Sequence, residues 1–210
     1  MRRYGPARST LAAVATLALA LAATGCGGGD GAVKEVSQEG KGGYPWVATD
    51  EICNTLPYER LADPLGSRAE VADRAKRTSG GSPGFSCTQP LAESGAAAYG
   101  GVKVEVDFAF TESVAFAQQV FATGRNDTRT TVPDGGQVDV KDVGREAIRF
   151  GYDKPKDLHQ VRELQLRDSN LLLTVTVTAD ARTEPTPESL KKLDGAVDSF
   201  ARGVLDAVRK

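Results

Sequence analysis

The chain has 210 residues, with 26 lysines and arginines against 28 acidic residues, one histidine and three cysteines. This length suits one domain of ~100–200 residues with terminal extensions. The formal net charge of −2 argues against nucleic-acid binding, which usually needs a strongly basic face. One histidine and three cysteines also argue against a zinc site with several ligands, so we expect no metal and no other cofactor.

The first 25 residues have the layout of a secretory signal. Arg2, Arg3 and Arg8 precede an uncharged, apolar stretch from Thr10 to Ala23. As a helix, this stretch would rise only about 21 Å, which is short of the ~30 Å hydrocarbon layer of a membrane. We therefore interpret it as a signal for general secretion rather than as a membrane-spanning anchor.

A lipid-attachment motif follows the apolar stretch. The sequence Ala23-Thr24-Gly25-Cys26 resembles a bacterial lipobox, which implies that Cys26 receives diacylglycerol and becomes the first residue of the mature chain. Conventional cleavage that leaves Cys26 free is the alternative. The glycine-rich residues 27–31 are typical of a flexible tether. We therefore predict a signal peptide over residues 1–25 and a lipidated tether over residues 26–45.

The charge of the mature chain bears on how it meets the membrane. Residues 1–25 hold three arginines and no acid, so the mature chain has 23 basic and 28 acidic residues and a net charge of −5. An acidic chain is not attracted to anionic lipid headgroups. We therefore expect the two acyl chains on Cys26 to supply the attachment. The predicted location is the extracytoplasmic face of the cell membrane.

The other two cysteines, Cys53 and Cys87, are predicted to form a disulfide. Two thiols in an exported chain most simply pair with each other. Closing a loop of about 35 residues would stabilise the fold by ~3–4 kcal/mol in the chain-entropy model. A redox-active pair is the alternative, but such pairs usually have the spacing Cys-x-x-Cys.

Residues 46–210 form the predicted folded domain. Residues 50–66 are predicted to hold a short helix that is interrupted at Pro57 and stops at the following Pro-Leu-Gly, because proline breaks helices and glycine commonly ends them. The charged residues 67–77 are predicted to form a solvated helix or loop. The Gly/Ser-rich residues 78–84 are predicted to be a turn region.

The rest of the domain alternates between strand and helix patterns. Alternating apolar and charged residues predict a strand over Val102–Phe110. A 3–4 spacing of apolar residues predicts a helix from Val114 that ends at Gly124. The prediction is completed by a loop at 126–128, a turn at 133–136, short strands at 137–140 and 145–150, a hairpin over 161–179 and a closing helix capped by Thr186. These elements indicate an α+β fold, an antiparallel sheet of four to five strands packed with helices in one α/β sandwich.

Several of these motifs together resemble a family of uncharacterised actinobacterial secreted lipoproteins, a domain of unknown function. The matching residues are the lipobox, an early turn, a second cysteine after a Gly/Ser loop and a Val-Gly-x-x-Ala element; they are Asp50, Cys53, Leu56, Cys87, Val143, Gly144 and Ala147. The family is similar in fold to the external sensor domains of actinobacterial Ser/Thr kinases. The resemblance implies an α/β sandwich and supplies no catalytic residue.

Each candidate catalytic or metal-binding group lacks a second element that its chemistry needs. His159 has no Gly-x-Ser-x-Gly elbow, so we interpret it as a surface loop residue. Glu105 and Asp107 alternate with apolar positions and lie on a wet face, where both should ionise. A further group of acids does not have EF-hand spacing; it consists of Asp134, Asp139 and Asp142.

The sequence favours a non-enzymatic, lipid-anchored extracytoplasmic protein that binds a small apolar or cell-wall-derived ligand or a partner protein. An envelope hydrolase or transferase with unidentified acidic catalytic residues is one alternative, and a structural scaffold in an envelope complex is another. A large apolar cavity between sheet and helices would favour ligand binding. A deep polar cleft with two buried carboxylates near His159 would favour an enzyme.

Overall fold

A computed structural model describes residues 43–44, 50–69, 73–75, 78–79, 82–93, 98–129, 136–152 and 158–209. The predicted signal peptide, Cys26, most of the tether and most of the predicted turn at 133–136 lie outside these ranges. Among the described residues, no helix combines the length and the apolar character needed to cross a bilayer.

The described chain contains one 3-10 helix, three α-helices and nine strands. The helices are the 3-10 helix Asp50–Asn54, α1 (Glu59–Leu65), α2 (Val114–Arg129) and α3 (Pro187–Val208). The strands are β1 (Ser67–Ala69), β2 (Asp73–Ala75), β3 (Thr78–Ser79), β4 (Ser82–Glu93), β5 (Tyr99–Phe110), β6 (Gln137–Asp139), β7 (Glu146–Gly151), β8 (His159–Asp168) and β9 (Leu171–Ala181).

All strand pairs are antiparallel and join in the order β1-β4-β5-β9-β8-β7-β6, with β2 and β3 also paired to β4. The predicted α+β class, with an antiparallel sheet packed with helices, is confirmed. The predicted count of four to five strands is wrong, because seven strands lie along the sheet and two short ones add to its edge.

One face of the sheet, here called the first face, forms the main core. Neighbouring strands place Cys87, Val106, Val175 and Leu164 in one row on this face, and all four residues are fully buried. The predicted alternation in β5 and β9 accounts for this, since successive strand residues point to opposite faces. Helix α3 covers the first face with an apolar stripe; its buried members include Leu193, Val197, Phe200 and Val204.

Helix α3 begins after the predicted cap, Thr186, and ion pairs attach it to the sheet. Thr186 accepts a hydrogen bond from the Ser189 amide at 3.2 Å, which satisfies a backbone donor that the helix itself leaves open. On β7 and β8, the first face carries Arg149 and Arg162, which bind Asp194 of the helix at 3.1 and 2.6 Å. These ion pairs add charged contacts to the apolar packing of α3 on the first face.

Helix α2 packs on the opposite face, here called the second face. Phe121 contacts Ile148 and Phe150 of β7 in a separate apolar cluster. The helix continues to Arg129, so the predicted end at Gly124 and the predicted loop at 126–128 are wrong. An isolated glycine costs a helix only ~1 kcal/mol, and it ends a helix where the backbone turns left-handed, as Gly66 does after α1 with a φ of 67°.

The edge of the sheet corrects the prediction of a solvated helix or loop over residues 67–77, because the residues described there, 67–69 and 73–75, form β1 and β2. An edge strand can carry charged side chains because part of it faces water. The Gly/Ser-rich region leads into the long strand β4, which tolerates Pro90 because this residue falls between the stretches that pair with β1 and β2. Proline has no amide to donate to a neighbouring strand, and no residue of β1 or β2 pairs with position 90.

The disulfide between Cys53 and Cys87 is present and confirms the predicted pair. Both cysteines are fully buried, and the bond links the 3-10 helix to the middle of β4. The ring of Tyr58 stacks on Phe200 of α3 with centroids 5.5 Å apart. The 3-10 helix and α1 therefore close one side of the core against β4 and α3.

Two glycines of α3 provide a matched test of this packing. A Cβ on Gly203 would lie 2.5 Å from Cγ of Pro57, whereas a Cβ on Gly195 would meet nothing within 4 Å. We expect Gly203→Ala to lower the free energy of unfolding by ~1–3 kcal/mol through overpacking. Gly195→Ala should raise it by ~0.5–1 kcal/mol through helix propensity. Denaturant unfolding checks both values, and a change of the same sign in both variants would contradict this packing.

Candidate binding face

The second face of the sheet is covered by a helix over only part of its width. Helix α2 packs against β8 and β9 and, through Phe121, against β7. The described residues place no helix over the second face of β4 and β5. A polar surface continues from this uncovered part onto neighbouring residues of β9 and β8, and Gln165 marks its border with α2, because its Oε1 lies 3.8 Å from the position of a Cβ on Gly124. We call this surface the open face and define it by its polar side chains, which are Thr88, Lys103, Glu105, Asp107, Glu163, Gln165, Thr174, Thr176 and Thr178.

The strand register arranges these side chains in rows across the sheet. One row runs Thr88, Glu105, Thr176, Glu163, and the next row runs Ser86, Asp107, Thr174, Gln165. Adjacent strands lie ~4.8 Å apart, so the backbones of Glu105 and Glu163 are ~10 Å apart, with Thr176 between them. Three carboxylates therefore stand among threonines and one glutamine on a nearly continuous polar surface.

A concave pocket of about 350 Å³ lies at one end of the open face. Asp107 and Thr174 contribute its polar groups, and Ala109 and Leu172 contribute apolar surface. Gly84 completes the floor from the side of β4. A Cβ on Gly84 would lie 2.5 Å from the carbonyl oxygen of Phe108, so the absence of a side chain there keeps the two strands close and the pocket open.

One flank of helix α2 adds exposed apolar groups beside the open face. The opposite flank carries Arg125, which reaches Asp139 of β6 at 3.0 Å and therefore faces the β6 edge. Phe116 lies nine residues earlier, ~180° around the helix, and therefore faces the β9 and β5 side. Phe116 and Val120 are 43% and 39% exposed, so this flank of the helix presents apolar surface to solvent.

The carboxylates of the open face have local partners of their own. Glu163 accepts a hydrogen bond from the Gln165 amide at 2.5 Å, and Lys103 lies 3.9 Å from Glu105. Burial raises the pKa of the Tyr152 hydroxyl, and the charge and hydrogen bond of Glu163 raise it further. These contacts hold the side chains in place on a surface that solvent still reaches.

His159 lies at the far end of the second face and does not join a catalytic cleft. It is the first residue of β8 rather than a loop residue, and its Nδ1 is 2.7 Å from Asp180 of β9. The two side chains are 55% and 63% exposed. His159 is also four residues from Glu163, which separates them by ~13 Å along the strand.

The described part of the chain also fixes where the predicted tether meets the domain. Tyr44 is only 7% exposed, and its hydroxyl bonds Asp168 at the end of β8. Arg209 donates to the Tyr44 hydroxyl at 3.2 Å and to Asp168 at 2.7 Å. The amide of Tyr44 bonds the Asn170 side chain at 3.1 Å. We call these four residues the tether clamp.

The remaining predicted residues have separate positions. Cys26 lies outside the described residues, and its lipidation stays a prediction, as do the domain limits at 25 and 45. Gly144 of the Val-Gly-x-x-Ala element has a φ of 64°, and a Cβ on it would lie 2.8 Å from the Arg167 carbonyl oxygen. Asp139 pairs with Arg125. Within the described ranges, no three His, Cys, Asp or Glu side chains gather as a metal site.

Comparison with known proteins adds little to this description. No protein-family model and no curated protein sequence matches the chain. Among solved structures, it is similar to the extracellular domain of PknH from Mycobacterium tuberculosis, with a TM-score of 0.38 and 9% identity over 75% of this chain and 98% of that chain. Such a match carries no argument about function, and the resemblance to actinobacterial secreted lipoproteins stays a prediction.

The tether clamp predicts a pH dependence of stability. Burial, reinforced by the hydrogen bond and charge of Asp168, raises the pKa of Tyr44 above its usual value of about 10. The folded state therefore holds this proton more tightly than the unfolded state, so its contribution is complete below about pH 10 and is lost as the pH rises further.

We expect Tyr44→Phe to lower the free energy of unfolding by ~1–3 kcal/mol at pH 7, because a hydrogen bond to a carboxylate is lost. Above about pH 10, the free energy should fall less steeply in the variant, by up to ~1.4 kcal/mol per pH unit. Unfolding curves between pH 7 and 11 measure both effects. Parallel pH profiles for the two proteins would contradict the role given to Tyr44.

Proposed function

We propose that this chain is a non-enzymatic, lipid-anchored protein of the extracytoplasmic membrane face that binds a cell-envelope ligand or partner on its open face. The observation that carries the proposal is the half-covered sheet, which leaves rows of polar side chains beside a pocket of about 350 Å³. Antiparallel sheets commonly leave a polar face in water, so the feature of this face that favours binding is the concave pocket, whose lining combines apolar surface with a few polar groups.

The proposed location is supported by the disulfide between Cys53 and Cys87. Structural disulfides persist in exported proteins and are rare in reducing compartments. The signal-like N-terminus and the lipobox resemblance point in the same direction. Lipid attachment at Cys26 is part of the proposal, because the described residues do not include it.

The position of the proposed site differs from an apolar cavity between sheet and helices. Beneath α3, the side chains of Leu193, Val197, Phe200 and Val204 are fully buried and occupy that space themselves. The pocket opens instead on the second face, where Asp107 and Thr174 adjoin Leu172. This mixture favours a polar envelope ligand or a partner protein over a wholly apolar molecule.

A binding role is also favoured over an envelope hydrolase or transferase. General acid–base catalysis needs a base within hydrogen-bond reach of the reacting group, with neighbours that adjust its pKa. His159 and Asp180 instead form an exposed pair, separated along the sheet from Glu105 and Glu163. Of the open-face carboxylates, Glu105 lies beside Lys103 and Glu163 accepts a hydrogen bond from Gln165.

The anchoring part of the proposal predicts the behaviour of Cys26→Ser. The wild-type chain should fractionate with membranes, and its N-terminal peptide should carry the mass of a diacylglycerol. Cys26→Ser lacks the acceptor thiol, so it should leave the membrane fraction. Fractionation and intact-mass spectrometry measure both results. A wild-type N-terminal peptide that begins at Cys26 without lipid would contradict anchoring.

The binding part predicts that a bulky residue at Thr176 blocks the open face. Tyrosine is favoured in strands, so Thr176→Tyr should keep the fold while it covers the carboxylates on either side. Molecules that co-purify with the membrane-extracted wild-type chain should be lost from this variant. Lys192→Glu, on the exposed side of α3, is the matched control and should retain them.

Mass spectrometry of the co-purified species decides the outcome. If the same molecules co-purify with Thr176→Tyr as with the wild-type chain, and in the same amounts, binding at the open face is contradicted. A wild-type chain that carries no species absent from a mock purification would contradict binding altogether.

A further inference from the structure

We infer that the exposed side of helix α2 rests on the membrane surface and places Phe116 and Val120 in the interfacial region of the bilayer. We call this surface the α2 flank and define it by Phe116, Gln119, Val120 and Thr123. The inference rests on the anchoring part of the proposed function and concerns a surface beside the open face. Three features carry it: the composition of the flank, its position beside the tether clamp, and the length of the predicted tether.

The α2 flank lies on one exposed side of its helix. Its four residues fall within ~100° of one another around the helix axis, and all four are exposed. The other side of the helix, with Ala117 and Phe121, is buried against the sheet. Helix α2 therefore presents large apolar side chains both toward the sheet and away from it.

Charged residues are missing from this stretch of α2. Residues 114–124 include no Asp, Glu, Lys or Arg, and the nearest charges along the chain are Glu112 and Arg125. Arg125 is turned toward Asp139 of β6, away from the flank. Helix α3 differs, because its exposed side includes Lys191, Lys192, Arg202 and Asp206.

This difference between the two helices indicates what the flank contacts. A surface helix usually carries charged or polar residues opposite its buried stripe, as α3 does. A charge that leaves water is costly unless it is paired. The uncharged α2 flank therefore suits a lipid interface, into which apolar side chains of a surface helix insert.

The tether clamp brings the predicted tether to the end of the domain where α2 begins. Asn170 of the clamp accepts a hydrogen bond from the Tyr44 amide and donates one to the Thr111 carbonyl, both at 3.1 Å. Thr111 follows β5 and leads into α2, where the Ser113 hydroxyl accepts a hydrogen bond from the Phe116 amide at 3.2 Å. Phe116 therefore lies in the first turn of a helix that begins beside the clamp.

The predicted tether is short enough to keep this end of the domain near the bilayer. Residues 27–42 separate Cys26 from Gly43, whose amide bonds the Ser169 hydroxyl at 2.9 Å. A flexible chain of about sixteen residues has an r.m.s. span of ~20–24 Å. A domain anchored at Cys26 is thus held beside the bilayer at a high effective concentration, so a small apolar contact is sufficient to keep the flank on lipid.

Other occupants fit these observations less well. A partner protein or a second copy of this chain could also cover Phe116 and Val120, but neither accounts for their position at the tethered end. Contact at the outer side of α2 also leaves the open face available, because a helix forms a layer ~10 Å thick that separates the sheet from the bilayer.

The test places a fluorescent probe on the flank of the full lipidated chain. Gln119→Cys supplies one free thiol, since Cys53 and Cys87 are bonded and Cys26 is lipidated in the proposal. The purified chain is labelled with a nitrobenzoxadiazole group in detergent and reconstituted in phosphatidylcholine nanodiscs with or without a doxyl quencher on the acyl chain. We expect the doxyl lipid to quench the probe, also at high salt, because salt does not screen an apolar contact.

The control position is Lys192→Cys, on the exposed side of α3, which packs on the opposite face of the sheet. The same probe at this position should not be quenched by the doxyl lipid. Equal quenching at positions 119 and 192, or no quenching at 119, would overturn the inference. Quenching at 119 that high salt abolishes would also overturn it, because such adsorption would be electrostatic.

Two double variants in the probe-labelled chain test the apolar side chains themselves. Phe116→Gln with Val120→Gln should lose most of the quenching at position 119. Val138→Gln with Leu158→Gln removes two apolar side chains of similar exposure elsewhere on the domain and should retain it. Circular dichroism checks that both variants fold. Retained quenching in the first variant, or equal loss in both, would overturn the inference.

Co-elution of the chain with the nanodiscs separates this failure from failure of the proposed function. A chain that co-elutes without quenching at position 119 leaves the anchoring standing and overturns contact of the flank with lipid. Crosslinking of position 119 to a protein on intact cells would then assign the flank to a partner protein. A chain that does not co-elute contradicts the anchoring and, with it, this inference.

Discussion

The rest of the structure depends on how three α-helices cover the two faces of one sheet, since they cover one face more completely than the other. Burial of apolar surface contributes ~25 cal/mol per Å², so an amphipathic sheet is stable when its apolar face is covered. Helix α3 covers the first face, with α1 and the 3-10 helix at its side. Helix α2 covers the second face at β7 and over only part of β8 and β9. The remaining second face is polar because no helix removes it from water.

Several contacts fix the helices and the N-terminal segment against the sheet. Arg149 of β7 and Arg162 of β8 hold α3 on the first face by ion pairs, and buried ion pairs require good geometry to offset desolvation. The disulfide ties the N-terminal helices to β4, and the tether clamp joins Tyr44 to the end of β8. Together they fix the scaffold on which the open face is displayed.

The sequence predicts the elements whose pattern is local and strong. Alternation in β5 and β9 and the stripe and cap of α3 follow directly from side-chain periodicity, as the structure confirms. The edge strands were missed because β1 and β2 are held by backbone pairing with β4, which leaves no apolar pattern in their side chains. The continuation of α2 past Gly124 was missed because a glycine inside a helix and a glycine at its end look alike in sequence.

The open face illustrates the same limit for a functional site. The wet side of Val102–Phe110 and the threonines of Leu171–Ala181 are visible in the sequence. Strand order is not, so the sequence could not indicate that Glu105, Thr176 and Glu163 form one row, or that α2 stops short of covering it. The clamp residue Tyr44 lies in a polar segment that composition alone assigns to the tether, and only its long-range bonds to Asp168 and Asn170 distinguish it.

The most direct test of this account is the labelling of Thr176→Cys on intact cells with a membrane-impermeant maleimide. Cys53 and Cys87 are bonded and a lipidated Cys26 has no free thiol, so the wild-type chain should stay unlabelled. The account predicts that Thr176→Cys is labelled on intact cells, whereas Ala179→Cys, fully buried on the first face, is labelled only after denaturation. Labelling of Thr176→Cys that requires cell lysis would contradict the extracytoplasmic location, and labelling that requires denaturation would contradict the open face.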